Sequence, residues 1–184
     1  MIYTKDDLST TTPPAEGRLQ KEMDSFALLD SLGLEYAWIS HEVKMTIADC
    51  ADIDQVLEIA LCKNLFLVNK QGQYFLLLIK GDKKFVTKDV SHAIGSSRLQ
   101  FAGEDKLLEY LNLTPGSITV LGLMYDKENK VQLIIDSDLL KEKYAGMHPC
   151  INTTSLRINT VDLMEKVLPA LHHEPIIIDI PYSE

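Results

Sequence analysis

Apolar residues recur at helical spacing across residues 16–32, where Leu19, Met23, Phe26 and Leu29 share one face and Gly33 stands where the helix should stop. "EYAWIS" then reads as a strand, and "IDQVLEIAL" as a helix running straight into Cys62-Lys63-Asn64. Leu65–Val68 and Tyr74–Ile79 are strands joined by Asn69-Lys70-Gln71-Gly72, a hairpin connection with glycine near its end. Thr87 opens a short helix ending at Gly95, "RLQFA" is a brief strand, and "EDKLLEYL" is a helix closed by Asn112 and "TPG". Two further strands, "ITVLGLMY" and "VQLIID", flank a turn at Asp126–Lys130. After "DLLKEK" the segment "YAGMHPCINTTS" is irregular. A strand "LRI", a helix from about Val161 to Leu171 and a last strand "PIIIDI" follow. Residues 1–15 are polar, contain a Pro pair and read as a loose arm, with 16–184 as one domain and no internal linker. Helices set among hairpin-like strand pairs predict a mixed-sheet α/β domain rather than a doubly wound nucleotide fold.

Composition fits that picture. At 184 residues and 46% hydrophobic, the chain can bury one full core. No apolar run approaches a membrane span, and the N-terminus lacks the charged-then-apolar order of a signal peptide. Cys50, Cys62 and Cys150 are too few and too scattered for a disulfide framework or a zinc site, so a reducing cytoplasm is the expected compartment.

Charge changes the picture more. The formal net charge is -9, which argues against broad contact with a phosphate backbone. Yet residues 61–100 hold seven Lys/Arg against two acids, Asp82 and Asp89. A basic patch on an acidic body suits a small anion or one end of a nucleic acid, although a solvated face would look the same.

The common catalytic signatures are missing: no G-x-G-x-x-G, P-loop, G-x-S-x-G or H-E-x-x-H occurs. His172-His173 falls at the end of a predicted helix, where polar side chains favour the C-terminus. No helix-turn-helix spacing points to DNA. Three places exceed what packing needs. Lys63-Asn64 puts an ammonium and an amide at the start of an apolar strand. "TPGSIT" is a turn dense in hydroxyls. "GMHPCINTT" is long, polar and Pro-constrained. Each has a plain structural explanation: a solvated lysine, a common turn, a histidine in a bend. Together they offer a cation, two hydrogen-bonding loops and a histidine, a set suited to binding a phosphate-bearing ligand and hydrolysing a labile bond with water.

At these residues the chain resembles a known family. "CKNLFLVNKQGQYFLLLI", "SSRLQFAGEDKLLEYLNLTPGSIT" and "GMHPCINTT" are similar, in order and spacing, to the YbaK/prolyl-tRNA synthetase-associated domain family. Within it the likeness is to freestanding prolyl-tRNA editing proteins of the PrdX type. It runs from about residue 17 to the C-terminus and includes "HEVKMTIADC", where relatives carry His-Pro-Pro and then Thr-x-Glu-Glu-Ala. The resemblance implies a single YbaK-like domain, a mixed sheet or partial barrel surrounded by helices. It implies a deacylase of misacylated tRNA needing no metal or cofactor, with the tRNA(Pro) acceptor end as partner and prolyl-tRNA synthetase alongside.

It also implies roles. Lys63 is the family's central lysine, and Asn64 its pocket neighbour, which favours the alanyl over the cysteinyl branch. His148 helps set the preference for alanine. Gly116 opens a loop that relatives write Gly-x-x-x-Pro, with Val120 here replacing the proline. Arg98, Ser117, Thr119, Gly146, Asn152 and Thr154 are the implied substrate-binding residues.

Overall fold

In the computed structural model, which describes residues 3–43 and 50–182, the hairpin of the central sequence is also the centre of the fold. β2 (Cys62–Val68) and β3 (Tyr74–Lys80) pair antiparallel, with Cys62 opposite Lys80 and Val68 opposite Tyr74. Their connection works because Gly72 takes a φ of 77°, open to a residue without Cβ. Asn69 Oδ1 stiffens the same turn by accepting from the Gln71 and Gln73 amides, each at 3.0 Å. β5 (Val131–Asp136) lies parallel to β3, and β8 (Ile176–Ile178) parallel to β5. The short β4 (Gln100–Phe101) covers the other side of β2, so the mixed sheet runs β4-β2-β3-β5-β8. A second, antiparallel sheet orders β1 (Tyr36–Ser40), β7 (Thr154–Asn159) and β6 (Tyr144–Met147) as β1-β7-β6. The fold is the expected mixed-sheet α/β domain, and among the described residues the sheets close no barrel.

Side chains alternate across a strand, so the central sheet separates two cores. One face carries Phe66, Leu76, Leu78, Leu133 and Ile135 and packs on Phe26 and Leu29 of α1 (Gln20–Ser31), on Trp38 and Leu156, and on Leu163 and Val167 of the helical run 160–170. The other carries Leu67, Phe75, Leu77, Ile79 and Ile134 beneath Val90 of α3 (Thr87–Ala93) and Leu99. A third, smaller cluster joins Tyr3 and Ile39 to Ile53, Val56 and Leu57 of α2 (Ala51–Leu57). One step along β2 therefore moves a side chain from one compartment to another.

Three readings differ from the structure. "ITVLGLMY" is not a strand: Val120–Tyr125 winds as a 3-10 turn with Val120 to Leu123 buried. A short apolar run does not reveal its own period. Gly122 lets the turn press onto α4 (Glu104–Leu111), since a Cβ there would stand 2.6 Å from Leu113 Cδ1 and 3.2 Å from the Leu111 carbonyl. The irregular "YAGMHPCINTTS" contains β6, which pairs Tyr144 with Asn159 and Met147 with Leu156.

The expected loose arm is docked over the residues described. Ser9 and Trp38 exchange backbone hydrogen bonds at 2.9 and 2.8 Å, and Thr12 Oγ1 donates to Asp30 at 2.7 Å. Tyr3 fills the third cluster. Residues 44–49 of the family-like stretch "HEVKMTIADC" lie outside the described residues.

Candidate active site

Lys63 and Asn64 are chain neighbours on opposite faces of the central sheet. Asn64 stands across from Leu78, on the side of the larger core; Lys63 stands across from Ile79, on the side of the smaller. Asn64 lines a cavity of about 30 Å³ between the two sheets, whose walls include Cys62, Val120, Gly146, Met147 and Leu163. That space suits a water or a methyl-sized group. Cys62 shares Asn64's face by strand alternation, and its Sγ approaches Asn64 Oδ1 at 3.7 Å. Burial, with the Asp136 charge adding, pushes the Cys62 thiol up to about 12, so it remains S–H. With Oδ1 turned to the thiol, Nδ2 is the end of the amide left to donate.

Lys63 Nζ donates to the Lys83 carbonyl at 2.8 Å and forms no ion pair among the described residues. The Lys83 carbonyl is itself fixed from below. Its side chain is fully buried, with Nζ 2.8 Å from both Asp136 Oδ1 and Asp138 Oδ2. Burial alone would lower the Lys83 pKa, but the hydrogen bonds to Asp136 and Asp138 outweigh it and raise the value.

His148 Nδ1 lies 2.9 Å from the Thr154 carbonyl and 3.4 Å from Ser155 Oγ. A carbonyl only accepts, so Nδ1 carries the hydrogen. Burial lowers the His148 pKa; the Thr154 carbonyl works against this, and nearby His41 works with it. The ring is thus neutral at pH 7, and Nε2 holds a lone pair.

The hydroxyl-rich turn and the second polar loop meet. Gly116, at φ 84°, is exposed, and a Cβ there would meet Asn152 Nδ2 at 3.6 Å. Ser117 and Asn152 line a surface cleft of about 280 Å³ together with Lys21 and Glu22. Three of the implied hydroxyls are engaged by the protein itself. Ser117 Oγ donates to the Thr114 carbonyl at 2.9 Å, Thr119 Oγ1 accepts from the Leu121 amide at 3.4 Å, and Thr154 Oγ1 donates to Glu22 at 2.9 Å. Arg98 is exposed and lies with Lys88 and His92 in a groove along α3. Among the described residues no group of three or more His, Cys, Asp or Glu side chains could hold a metal ion, and no helix is long and apolar enough to cross a membrane.

Residues 41–166 match the family model described as the aminoacyl-tRNA editing domain. The chain belongs to that family. Its members are hydrolytic deacylases. This editing domain is 34% identical over 145 residues to the prolyl-tRNA editing protein ProX of Acetoanaerobium sticklandii, covering 78% of this chain and 88% of that one. It is 30% identical over 162 residues to the prolyl-tRNA synthetase associated domain-containing protein 1 of Danio rerio, covering 87% and 86%. A solved structure of a candidate trans-editing enzyme for prolyl tRNA synthetase shares the fold, with a TM-score of 0.66 at 16% identity, over 91% of this chain and 100% of that one.

In this editing domain the implied residues fall into neighbourhoods. Asn64 and Gly146 share the cavity, Ser117 and Asn152 the surface cleft beside Gly116, and His148 and Thr154 the β7 end. Lys63 and Arg98 sit apart from all three linings. Sequence reading missed Cys62 as a cavity wall, although two-residue alternation with Asn64 signals it. Gly146 has a packing reason as well: a Cβ would meet Ile59 Cβ and Cγ1, each at 3.1 Å. Gly146→Ala is therefore expected to destabilise the fold by about 1–3 kcal/mol, measured as a lowered urea midpoint at unchanged m.

Proposed function

We propose that the protein removes alanine from misacylated tRNA(Pro) by hydrolysing the ester to the terminal adenosine, correcting errors of prolyl-tRNA synthetase in trans. The observation that supports this most is the methyl-sized cavity under Asn64. A synthetase pocket built for proline cannot firmly reject alanine, because missing methylenes cost only about 1–3 kcal/mol each. A second pocket admitting a methyl and refusing a pyrrolidine ring solves that problem sterically.

The chemistry needs little. The ester is already activated, so placing water and stabilising developing negative charge suffice. Asn64 Nδ2 donates to the ester carbonyl as its oxygen gains charge. His148 Nε2 accepts from the α-ammonium. Lys63, without a carboxylate partner among the described residues, holds the terminal phosphate with its remaining N–H groups. The neighbouring ribose hydroxyl of the adenosine relays the proton, accepting one from the attacking water and passing its own to the departing ribose oxygen, so that free alanine and an intact ribose are released. The exposed cations Lys84, Lys88 and Arg98 meet the acceptor strand, and so few contacts give a shallow salt dependence.

Val120 in the cavity wall gives a second reading, a deacylase for serine or cysteine, since a valine replaces the loop's expected ring. tRNA(Pro) charged with alanine, serine, cysteine or proline separates the two. The alanyl ester should be lost about ten times faster than any other. Preferred loss of the seryl or cysteinyl ester would establish the second reading. Tight binding without ester loss would leave only a recruiting module.

A further inference from the structure

The face of the sheet that carries Lys63 also carries aromatic surface. Residues directly opposite one another in an antiparallel pair point to the same side. Phe101, across from Leu67, therefore shares the face of Leu67 and, by alternation, of Leu65 and Lys63. The four residues of strand from Lys63 to Leu67 span about 13 Å. Phe85 links the two ends of this row. It lies two residues after Lys83, whose carbonyl receives Lys63 Nζ, and its ring meets that of Phe101 at 5.8 Å, tilted by 59°.

The two rings differ in burial. Phe85 packs against the smaller core, whereas Phe101 is 66% exposed, and among the described residues no large apolar side chain is more so. Its strand, β4, is the edge of the sheet. One exposed apolar residue alone needs no explanation, but this one has charged company. Exposed Lys84 and Val86 flank Phe85 in the chain, exposed Lys88 follows, and exposed Arg98 precedes Phe101 by three residues. Rings set among cations are the two components of a site for single-stranded nucleic acid, where bases stack and phosphates meet the charges. Glu104 and Asp105 open α4 just after Phe101, so that end favours an uncharged base over a phosphate.

We propose that Phe101, held at its tilt by Phe85, stacks the unpaired base that precedes the terminal adenosine of a tRNA acceptor end. The choice of that base rests on the function proposed above. With Lys63 on the terminal phosphate and the ester beside Asn64, the terminal nucleotide leads to the cavity on the other face. The strand on the far side of the phosphate then runs along β2 towards Phe101.

The test is a double-mutant cycle between ring and base, read as Kd for uncharged tRNA(Pro) whose penultimate nucleotide is normal or abasic. Phe101→Ala should weaken binding of the normal tRNA about tenfold. The abasic tRNA should bind the wild type about tenfold more weakly too, and Phe101→Ala should cost it less than about twofold further. Phe101→Leu, which keeps an apolar cover over Phe85, should behave like Phe101→Ala. Phe101→Trp should retain wild-type affinity, with indole emission quenched by the normal tRNA and not by the abasic one, against the background of buried Trp38. A ring that merely shields Phe85 would be replaced well by leucine, so wild-type affinity in Phe101→Leu overturns the platform.

Equal loss from Phe101→Ala on both tRNAs, or no loss on either, also overturns it, as does coupling to an abasic terminal nucleotide in place of the penultimate one. Should Phe101→Ala not fold, the leucine and tryptophan variants decide. Coupling in a protein that leaves alanyl-tRNA(Pro) intact upholds the platform and refutes the proposed substrate. Hydrolysis of alanyl-tRNA(Pro) without coupling upholds the substrate and overturns the platform.

Discussion

Lys63→Ala is expected to lower kcat/KM on alanyl-tRNA(Pro) about 100-fold, or roughly 2.7 kcal/mol of transition-state stabilisation, while the thermal midpoint stays within a degree or two. The side chain is half-buried, and among the described residues its amine makes one hydrogen bond, to the Lys83 carbonyl at 2.8 Å. Removing it leaves one carbonyl to water and no charge stranded. Stability should barely register the change, whereas a bound phosphate would lose its nearest counter-charge. Salt dependence distinguishes the proposed grip from a role at the carbonyl. If Lys63 neutralises one phosphate, the slope of log affinity against log salt should become shallower by about 0.7–0.9 in the variant. Turnover equal to the wild type would refute any role for the residue in the reaction, and a reduced rate with an unchanged slope would move Lys63 from the phosphate to the ester.

The second large effect lies one carbonyl away. Lys83→Met should destabilise the fold by about 3–5 kcal/mol, because it strands buried Asp136 without its cation. Asp136 already accepts from the Lys80 amide at 3.2 Å and the Asp138 amide at 3.3 Å, so it cannot turn elsewhere. Adding Asp136→Leu should recover part of the loss, since an apolar pair of similar volume has no charge to desolvate; equilibrium denaturation of the single and double variants checks this. The sign of the pH dependence is set on the acid side. The Asp138 carboxyl is held below the usual carboxylate range by its hydrogen bonds to Lys141 and Lys83. Its contribution is complete above the unfolded carboxylate value and fades as pH falls through the lowered one.

Much of this architecture is legible in the residue pattern. The hairpin announces itself by Asn69–Gly72 between two apolar runs, and α1 by its spacing and by Gly33, whose φ is 64°. What the pattern hides is orientation and tertiary context. "ITVLGLMY" is apolar enough for a strand, but burial on several sides and the close approach of Leu113 to Gly122 make it a tight turn. Tyr3 and Ser9 look like arm residues until Ile39 and Trp38 provide a surface and a backbone to meet.

The candidate site shows the same limit. Lys63, Asn64 and His148 stand out as polar residues where packing asks for none. Reading them as one constellation overlooks that adjacent strand residues point apart. Nor does sequence reveal that Thr119 and Ser117 are occupied in shaping their own turn. His41 and Ser155, separated by 114 positions, become partners only because β1 and β7 lie side by side.

Because the amide and the ammonium look into different compartments from one stretch of backbone, the two tasks assigned to them can be altered independently. Redrawing the wall around Val120 and Leu163 would change which side chain is admitted, and leave the hold on the nucleic acid as it was. A scaffold wired this way invites relatives that share one grip and differ in appetite.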